Sequence, residues 1–431
     1  MNLIFRICGE EIRRIDETFS EQLPVTSFAL YNVTNRNGTD NREAEDRSLK
    51  MTFFLAVFLA VYSLMHAVFF LSVKELLPAS RFTRAGFILF LGLMVIMPVA
   101  TRLLERNGHE TAARILAHAG FPWMAFVFLA FCGFLALTII QLVPTLINIT
   151  CKVNIDPPAG TLPVLCVLAG VFLACFYGYI DAKRIRTERV VIETDKLPLH
   201  MKRLRIAQIS DIHLGLLVRG DRLESILEKV KVEDPDILVS TGDLVDGEMG
   251  SPDGLRDLFD EIQPRYGKFA VTGNHEFYYG VKDAVRVTEH LGFTVLRGTC
   301  VNVYDIINVA GVDDPASGTQ PDETAVLSRA RNGLFTLLLK HRPASPPESR
   351  GLFDLQLSGH THRGQIFPFR WITGLAYPMQ NGMHRLDGGS MLYASRGSGT
   401  WGPPIRVLSP PEITIIDLVR RGSGKGSSDM F

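Results

Sequence analysis

The stretch LRIAQISDIHLG, residues 204–215, determines how the second half of this chain folds. Its first residues form a short apolar run of the length expected for a buried strand, and the run ends at Ser210. Asp211 and His213 then follow in a loop that reaches Gly215. Ligand-binding side chains of α/β proteins stand in such loops, outside the carboxyl ends of strands. The stretch therefore predicts a buried strand with polar functional residues at its end.

The same pattern recurs along the chain. DILVSTGD (236–243) and GKFAVTGN (267–274) read as further buried strands. RLESILEKVKV (222–232), which lies between the first strand and DILVSTGD, has helical spacing. Strands that alternate with helices predict a layered α/β domain. Because several more strand-like runs follow, up to EITIIDL (412–418), we expect two packed sheets.

Four long apolar segments without a formal charge precede this domain, namely 51–73, 85–101, 115–151 and 157–180. A helix that crosses a bilayer needs about 20 apolar residues. The segments could instead be core helices of a soluble domain, but FFLAVFLAVYSLMHAVFFLSV (53–73) has no polar face. The pattern predicts a helical membrane domain over residues 51–181 with about four spans. The protein is then an integral, multi-pass membrane protein.

Lys and Arg on the flanks of these segments predict the orientation. They concentrate before the first span, in the second loop and after the fourth span, so we expect both termini and the α/β domain in the cytosol. The sequon at Asn148 then faces the opposite side, while those at Asn32 and Asn37 are cytosolic. Residues 1–50 are polar and aperiodic, which predicts a disordered arm, and residues 421–431 predict a flexible tail.

Overall composition excludes two classes of protein. Lys plus Arg and Asp plus Glu are balanced at 45 each, so no global field favours nucleic acid as a partner. The six cysteines form no CxxC pair, so neither a disulfide framework nor a structural zinc site is expected.

Nine polar residues stand in the loops that follow predicted strands: Asp211, His213, Asp243, Asp246, Asn274, His275, His341, His360 and His362. Carboxylate, imidazole and amide oxygen groups suit divalent ions such as Mn, Fe or Zn. Seven of the nine residues are candidate metal ligands. Seven ligands are too many for one tetrahedral ion, but they fit two ions that share a bridging carboxylate. Asp and Asn also favour turns for local reasons, but five such motifs in order argue against that explanation.

The ordered set DIH, GDLVD, GNHE, KH and GHTH resembles the calcineurin-like metallophosphoesterase family over residues 188–420. YGKFAVTGNHEFYYG and GTWGPPIRVLSPPEITIIDL resemble its membrane-linked phosphodiesterase branch. The resemblance implies a four-layer α-β-β-α sandwich after the membrane domain. It also implies a phosphate ester as substrate, two divalent metal ions as cofactors, and a preference for phosphodiesters.

The resemblance further implies a role for each residue of the site. The first ion would be held by Asp211, His213, Asp243 and His362. The second would be held by Asp243, Asn274, His341 and His360, with Asp243 bridging. A hydroxide between the ions would attack phosphorus in line. His275 is not a ligand and would stabilise or protonate the leaving oxygen, while Asp246 would orient His275.

Three residues depart from the family pattern. Gly247 stands where an arginine is common, Glu276 stands where Asp is common, and Arg363 stands where the branch has glycine. The change at Glu276 is chemically mild. Arg363 either contacts substrate phosphate or is a solvated loop residue.

The sequence therefore predicts a membrane-anchored, metal-dependent phosphoric ester hydrolase. Attachment to a membrane favours a lipid substrate, although it serves equally to localise an enzyme with a soluble substrate. One alternative is a phosphate-ligand sensor or scaffold coupled to the membrane domain. The other is a phosphoprotein phosphatase, which shares the metal chemistry.

Overall fold

The computed structural model describes residues 38–247, 252–319 and 322–421. Two compact units divide the chain. The helical unit comprises Met51–Asp181 and the short segment Gly402–Val407, and the α/β unit includes Ala182–Trp401 and the described residues from Leu408 to Arg421.

Four helices account for the helical unit: α1 (Gly38–Val73), α2 (Arg81–Arg106), α3 (Glu110–Cys151) and α4 (Thr161–Lys183). All four are long and apolar enough to cross a membrane, as the four apolar segments predict. Their shared core includes Phe69, Leu91, Val127 and Val171. Within the same unit the 402–407 segment packs on α4, where the Arg406 N–H donates to the Gly178 carbonyl at 2.9 Å.

α1 begins within the stretch 1–50, which the sequence predicts to be a mostly disordered arm. The chain is already helical at Gly38, whereas disorder was expected as far as residue 50. An apolar span supplies a formed helix, and extending it costs little because only nucleation is unfavourable. Residues 1–37 lie outside the described part of the chain, and so does the predicted tail except for Arg421.

Twelve strands of the α/β unit form two six-stranded sheets. The first sheet has the order β1 (Arg186–Thr194), β12 (Glu412–Arg420), β2 (Arg203–Ile209), β3 (Ile237–Ser240), β4 (Lys268–Ala270) and β5 (Thr294–Val295). β12 is antiparallel to β2, and the strands from β2 to β5 are parallel. The second sheet has the order β10 (Gly382–Arg385), β11 (Met391–Ala394), β9 (Leu355–Ser358), β8 (Phe335–Leu339), β7 (Ile307–Gly311) and β6 (Thr299–Val303).

Among the described residues of this unit, six α-helices accompany the sheets: α5 (Gly220–Glu233), α6 (Asp253–Asp260), α7 (Asn274–Tyr279), α8 (Val281–His290), α9 (Glu323–Leu327) and α10 (Arg370–Ala376). One core joins α5, α6 and α8 to the outer face of the first sheet. A second core lies between the sheets, and a third joins α9 to the second sheet. These layers confirm the predicted α-β-β-α sandwich.

β2 illustrates why the sequence of a buried strand is mostly apolar, here from Ile206 to Ile209 apart from Gln208. Ile206 points into the core between the sheets, whereas Ala207 and Ile209 point towards the helices. A strand covered on both faces is apolar at most positions, and a polar residue such as Gln208 needs hydrogen-bond partners there. Three strands have no such signal in the sequence. β5 has only two residues, and β6 and β10 are mostly half-exposed, so their side chains show weak alternation.

Candidate metal centre

The strand-end loops converge on one site and bring all nine predicted residues together. The loops after β2, β3, β4, β8 and β9 supply them. Seven of the nine belong to three groups of side chains that share members, and the eighth, Asn274, contacts His341 of one group. The ninth, Asp246, accepts a hydrogen bond from Nδ1 of His275. Within each group the ligand-type atoms lie within 4.8 Å of one another.

The first group contains Asp211, His213 and His362. The Nε2 atoms of the two histidines face each other at 3.0 Å, and Oδ1 of Asp211 lies 3.6 Å from Nε2 of His362. All three side chains are buried. Nδ1 of His213 is buried and has no hydrogen-bond partner among the described residues. Three ligand-type atoms close together in a buried space could hold a cation.

The second group contains Asp243, His341 and His360, with Asn274 beside them. Oδ1 of Asn274 lies 3.2 Å from Nε2 of His341, and Nδ1 of His360 lies 3.1 Å from the same atom. Nδ1 of His341 donates to the carbonyl of Thr241 at 2.8 Å. Because a carbonyl can only accept, this bond places the proton on Nδ1 and leaves Nε2 free to bind an ion.

Asp243 connects the two groups through a single oxygen atom. Its Oδ2 lies 3.2 Å from Nε2 of His341 and 3.9 Å from Nε2 of His213. Its Oδ1 accepts the backbone N–H of His275 at 2.9 Å. One carboxylate oxygen therefore faces both groups while the other is held by the start of α7.

Charge within the site supports cation binding. Asp211, Asp243 and Glu276 are buried together, and among the described residues no Lys or Arg forms an ion pair with any of them. Burying carboxylates without positive charge is costly. The centre therefore needs positive charge that the chain itself does not supply as Lys or Arg.

The pKa shifts of the buried groups reflect the same requirement for positive charge. Burial alone would raise the pKa of Asp243, but the charges of His341 and His275 outweigh burial and hold it well below its usual range. Burial opposes a charge on His341, but the carboxylates of Asp243 and Asp211 raise its pKa to about 10. Burial raises the pKa of Asp211, and burial together with the charge of His275 lowers the pKa of His213 to about 3. A neutral His213 beside buried carboxylates is a set of donors that could hold a divalent ion.

The backbone that presents these groups is unusual. Five of the predicted ligands have a positive φ: Asp211 (52°), His213 (57°), Asp243 (52°), His360 (72°) and His362 (46°). Non-glycine residues rarely occupy this region, at a cost of about 1–3 kcal/mol each, and such residues cluster at functional sites. Packing also requires glycine beside them. A Cβ on Gly359 would collide with Ser210 and Asp211, and one on Gly273 would collide with Asp243.

Sequence reasoning missed the role of Glu276. Its buried carboxylate accepts four backbone N–H groups, from Gly273 (2.7 Å), Asp243 (3.0 Å), Leu244 (2.7 Å) and Val245 (3.0 Å). It thereby fixes the Asp243 loop to the start of α7. The spacing Gly-x-x-Glu before a helix, which resembles half of a capping box, is the signal that could have revealed it.

A buried polar network behind Asp211 was missed as well. Ser210 donates to Oδ2 of Asp211 at 2.5 Å, Thr241 donates to Ser210 at 2.7 Å, and Gln208 donates to Thr241 at 2.9 Å. The backbone N–H of His360 occupies Oδ1 of Asp211 at 2.8 Å. Such partners orient ligands and restrict their rotation.

Trp401 forms part of the rim of the centre. Its ring lies 5.7 Å from that of His275 between centroids, and the side chain is half exposed. The side-chain amide of Gln365 holds its backbone by two hydrogen bonds, at 2.9 Å and 3.0 Å. His275 is thus bordered by His213 on one side and by Trp401 on another.

Known proteins are similar to this chain in the region of the centre. The family model for calcineurin-like phosphoesterases matches residues 204–364. An uncharacterized metallophosphoesterase of Aquifex aeolicus (strain VF5) is 39% identical over 254 residues, covering 57% of this chain and 97% of that protein. Another from Helicobacter pylori (strain J99) is 34% identical, covering 58% and 68%. A zebrafish (Danio rerio) transmembrane protein with metallophosphoesterase domain is 32% identical, covering 59% and 62%.

Proposed function

Because this chain belongs to the calcineurin-like phosphoesterase family, we propose that it is a membrane-anchored phosphoesterase that uses two divalent ions and prefers phosphodiesters. The position of Oδ2 of Asp243 between two groups of ligand atoms is the observation that supports two ions. The preference for diesters follows from resemblance to the membrane-linked branch and is the first property to test.

We assign the ligands from the two groups. Asp211, His213 and His362 hold one ion, Asn274, His341 and His360 hold the other, and Asp243 contributes to both. Ions of the Mn, Fe or Zn type lower the pKa of water and neutralise charge on a phosphoryl group. The remaining steps of the reaction depend on residues of the chain.

His275 supplies the proton that the leaving oxygen needs. Asp246 accepts from its Nδ1 and leaves Nε2 as the atom that can face substrate. The carboxylate also favours the charged imidazolium, which is the form that can donate. The bond from its backbone N–H to Asp243 and the bonds of Glu276 fix His275 relative to the ligands.

The proposal predicts metal-dependent hydrolysis by the full chain in detergent micelles. Chelation followed by dialysis should abolish hydrolysis of a bis-nitrophenyl phosphodiester, and added Mn should restore it. Nitrophenyl phosphate should be hydrolysed more slowly than the diester. Bound metal is measured in parallel by elemental analysis.

Other outcomes separate the alternatives. A folded chain with no bound metal and no hydrolysis contradicts the proposal and favours a sensor or scaffold. Faster hydrolysis of a phosphopeptide than of the diester favours a phosphoprotein phosphatase. A chain that binds two metal equivalents but hydrolyses none of these esters would contradict the general preference for phosphodiesters. It would not contradict the binding of two ions.

We further propose that the chain crosses the membrane four times with the α/β unit in the cytosol. The basic residues that flank the apolar helices support this orientation. Expressed in eukaryotic cells, the protein should carry a glycan at Asn148 and none at Asn32 or Asn37. The measurement is the shift in electrophoretic mobility after glycosidase treatment, with Asn148→Gln as the control. Glycans at Asn32 or Asn37 would reverse the orientation.

A further inference from the structure

A short segment next to the metal centre presents large apolar side chains to solvent. Phe369, Trp371 and Ile372 are 42%, 62% and 45% exposed, and they lie within one stretch of four residues. The Trp371 ring contacts that of Phe367, at 4.9 Å between centroids. We call these four side chains the aromatic face. Adjacent exposed apolar residues of this size mark an interaction surface.

The aromatic face is attached firmly to the loop that carries His360 and His362. Thr361 donates its hydroxyl to the carbonyl of Gln380 at 2.9 Å, and Gln380 donates to the carbonyl of Arg370 at 3.0 Å. Ala376, the last residue of α10, and Tyr377, which follows it, are buried. The segment is therefore anchored by hydrogen bonds and by its buried C-terminal end. The exposure of Phe369, Trp371 and Ile372 is not a consequence of a loose loop.

Two arginines accompany the aromatic face. The guanidinium of Arg370 lies 5.1 Å from the centre of the Phe367 ring. The charge of Arg363 is close enough to interact with those of Arg370 and Arg396. Within the described ranges, neither Arg363 nor Arg370 forms an ion pair with a carboxylate, whereas Arg396 is paired with Glu412. Two unpaired guanidinium groups beside exposed aromatic rings complement a surface that is apolar and carries negative charge.

The course of the chain indicates which surface this is. β1 begins at Arg186, directly after α4 ends at Lys183, and α4 is a candidate membrane span. The rim residue Trp401 directly precedes Gly402, where the segment that packs on α4 begins. The α/β unit is therefore tied to a candidate membrane span at both places. A bilayer is the partner that such attachment keeps close to the α/β unit.

We propose that the aromatic face docks on the surface of an anionic phospholipid bilayer, with Arg363 and Arg370 among the headgroups. Tryptophan and arginine are the residues that favour this depth of a membrane. The docked site would receive phosphate esters carried in the membrane, and this consequence alone rests on the proposed function.

The test uses tryptophan fluorescence of the full chain in vesicles. The chain has three tryptophans, so Trp123→Phe with Trp401→Phe leaves Trp371 as the only one. The vesicles contain phosphatidylserine and phosphatidylcholine brominated near the headgroup end of its acyl chains. Bromine quenches only tryptophan that contacts the lipid. We expect the emission of Trp371 to fall by about half or more relative to unbrominated vesicles, and acrylamide in the water to quench it weakly.

A matched control carries its only tryptophan at another exposed aromatic position. Tyr304 is 75% exposed, and Tyr304→Trp is combined with Phe at all three natural tryptophans. This probe should be quenched by acrylamide and not by brominated lipid. Efficient quenching of Trp371 by acrylamide without an effect of bromine would overturn the proposal. So would protection of Trp371 from both quenchers, which indicates that a protein surface covers it.

The charge contribution has its own readout. Arg363→Gln with Arg370→Gln should reduce the quenching of Trp371 in vesicles that contain phosphatidylserine, and leave it almost unchanged in pure phosphatidylcholine. Equal quenching of both proteins in both vesicles would contradict the role of the arginines. Because no hydrolysis is measured, a docked but inactive protein would contradict the proposed function and leave the docking proposal standing.

Discussion

Asp243→Asn should lower the rate of hydrolysis by about a thousandfold or more. The amide nitrogen of Asn cannot bind a cation, and the oxygen that it replaces is Oδ2, the atom between the two groups. Metal ions contribute several kcal/mol of transition-state stabilisation, and each 1.36 kcal/mol is a factor of ten in rate. The measurements are kcat for the phosphodiester and the number of bound metal equivalents, which should fall below two.

Asp243→Asn is a suitable test of the bridging role because the fold should tolerate this substitution. Asn accepts the positive φ of 52° at this position about as well as Asp does. It can keep the bond from the backbone N–H of His275, and it removes a buried charge. The thermal unfolding midpoint after chelation should therefore not fall. Asp283→Asn makes the same chemical change at a 63% exposed carboxylate and should change neither rate nor metal content. Wild-type turnover in Asp243→Asn would exclude Asp243 as a bridging ligand.

His275→Ala should lower kcat by about a hundredfold to ten-thousandfold for substrates with poor leaving groups. Such leaving groups need a proton, whereas nitrophenolate leaves without one. The loss should therefore be much smaller for the nitrophenyl ester than for an alkyl ester. Ala keeps the backbone N–H that bonds to Asp243 and favours the helix that begins here. The comparison requires kcat for a series of esters that differ in the pKa of the leaving alcohol.

Metal content distinguishes the two roles that geometry allows for His275. The residue also belongs to a group with His213 and Asp243 that could hold an ion. A proton donor predicts normal metal content and a loss that depends on the leaving group. A ligand predicts reduced metal content and an equal loss for all esters, which would refute the proposed role. His290→Ala, at a partly exposed histidine that contacts Asp253, is the matched control and should have no effect.

Most of the architecture could be predicted from sequence because it depends on local periodicity. The four apolar segments and the buried strands of the parallel arrangement have continuous patterns, and all were found as helices and strands. The strands that escaped prediction are short or half-exposed, since burial on both faces is what produces a strong signal. The first part of α1, from Gly38 to residue 50, was not predicted as helix. Its polar residues have no apolar periodicity of their own and extend the helix that the apolar segment forms.

For the candidate centre, the sequence by itself determined which residue types stand at the strand ends and in what order. Asp211, His341 and His362 are far apart in the chain, and only the topology of the two sheets brings their loops to one place. The positive φ of five ligands, the four bonds of Glu276 and the proton on Nδ1 of His341 were decided by tertiary structure alone. The physical reason is that these features arise from close approach between loops. Local sequence specifies which conformations a loop can adopt, and contacts with the other loops select one of them.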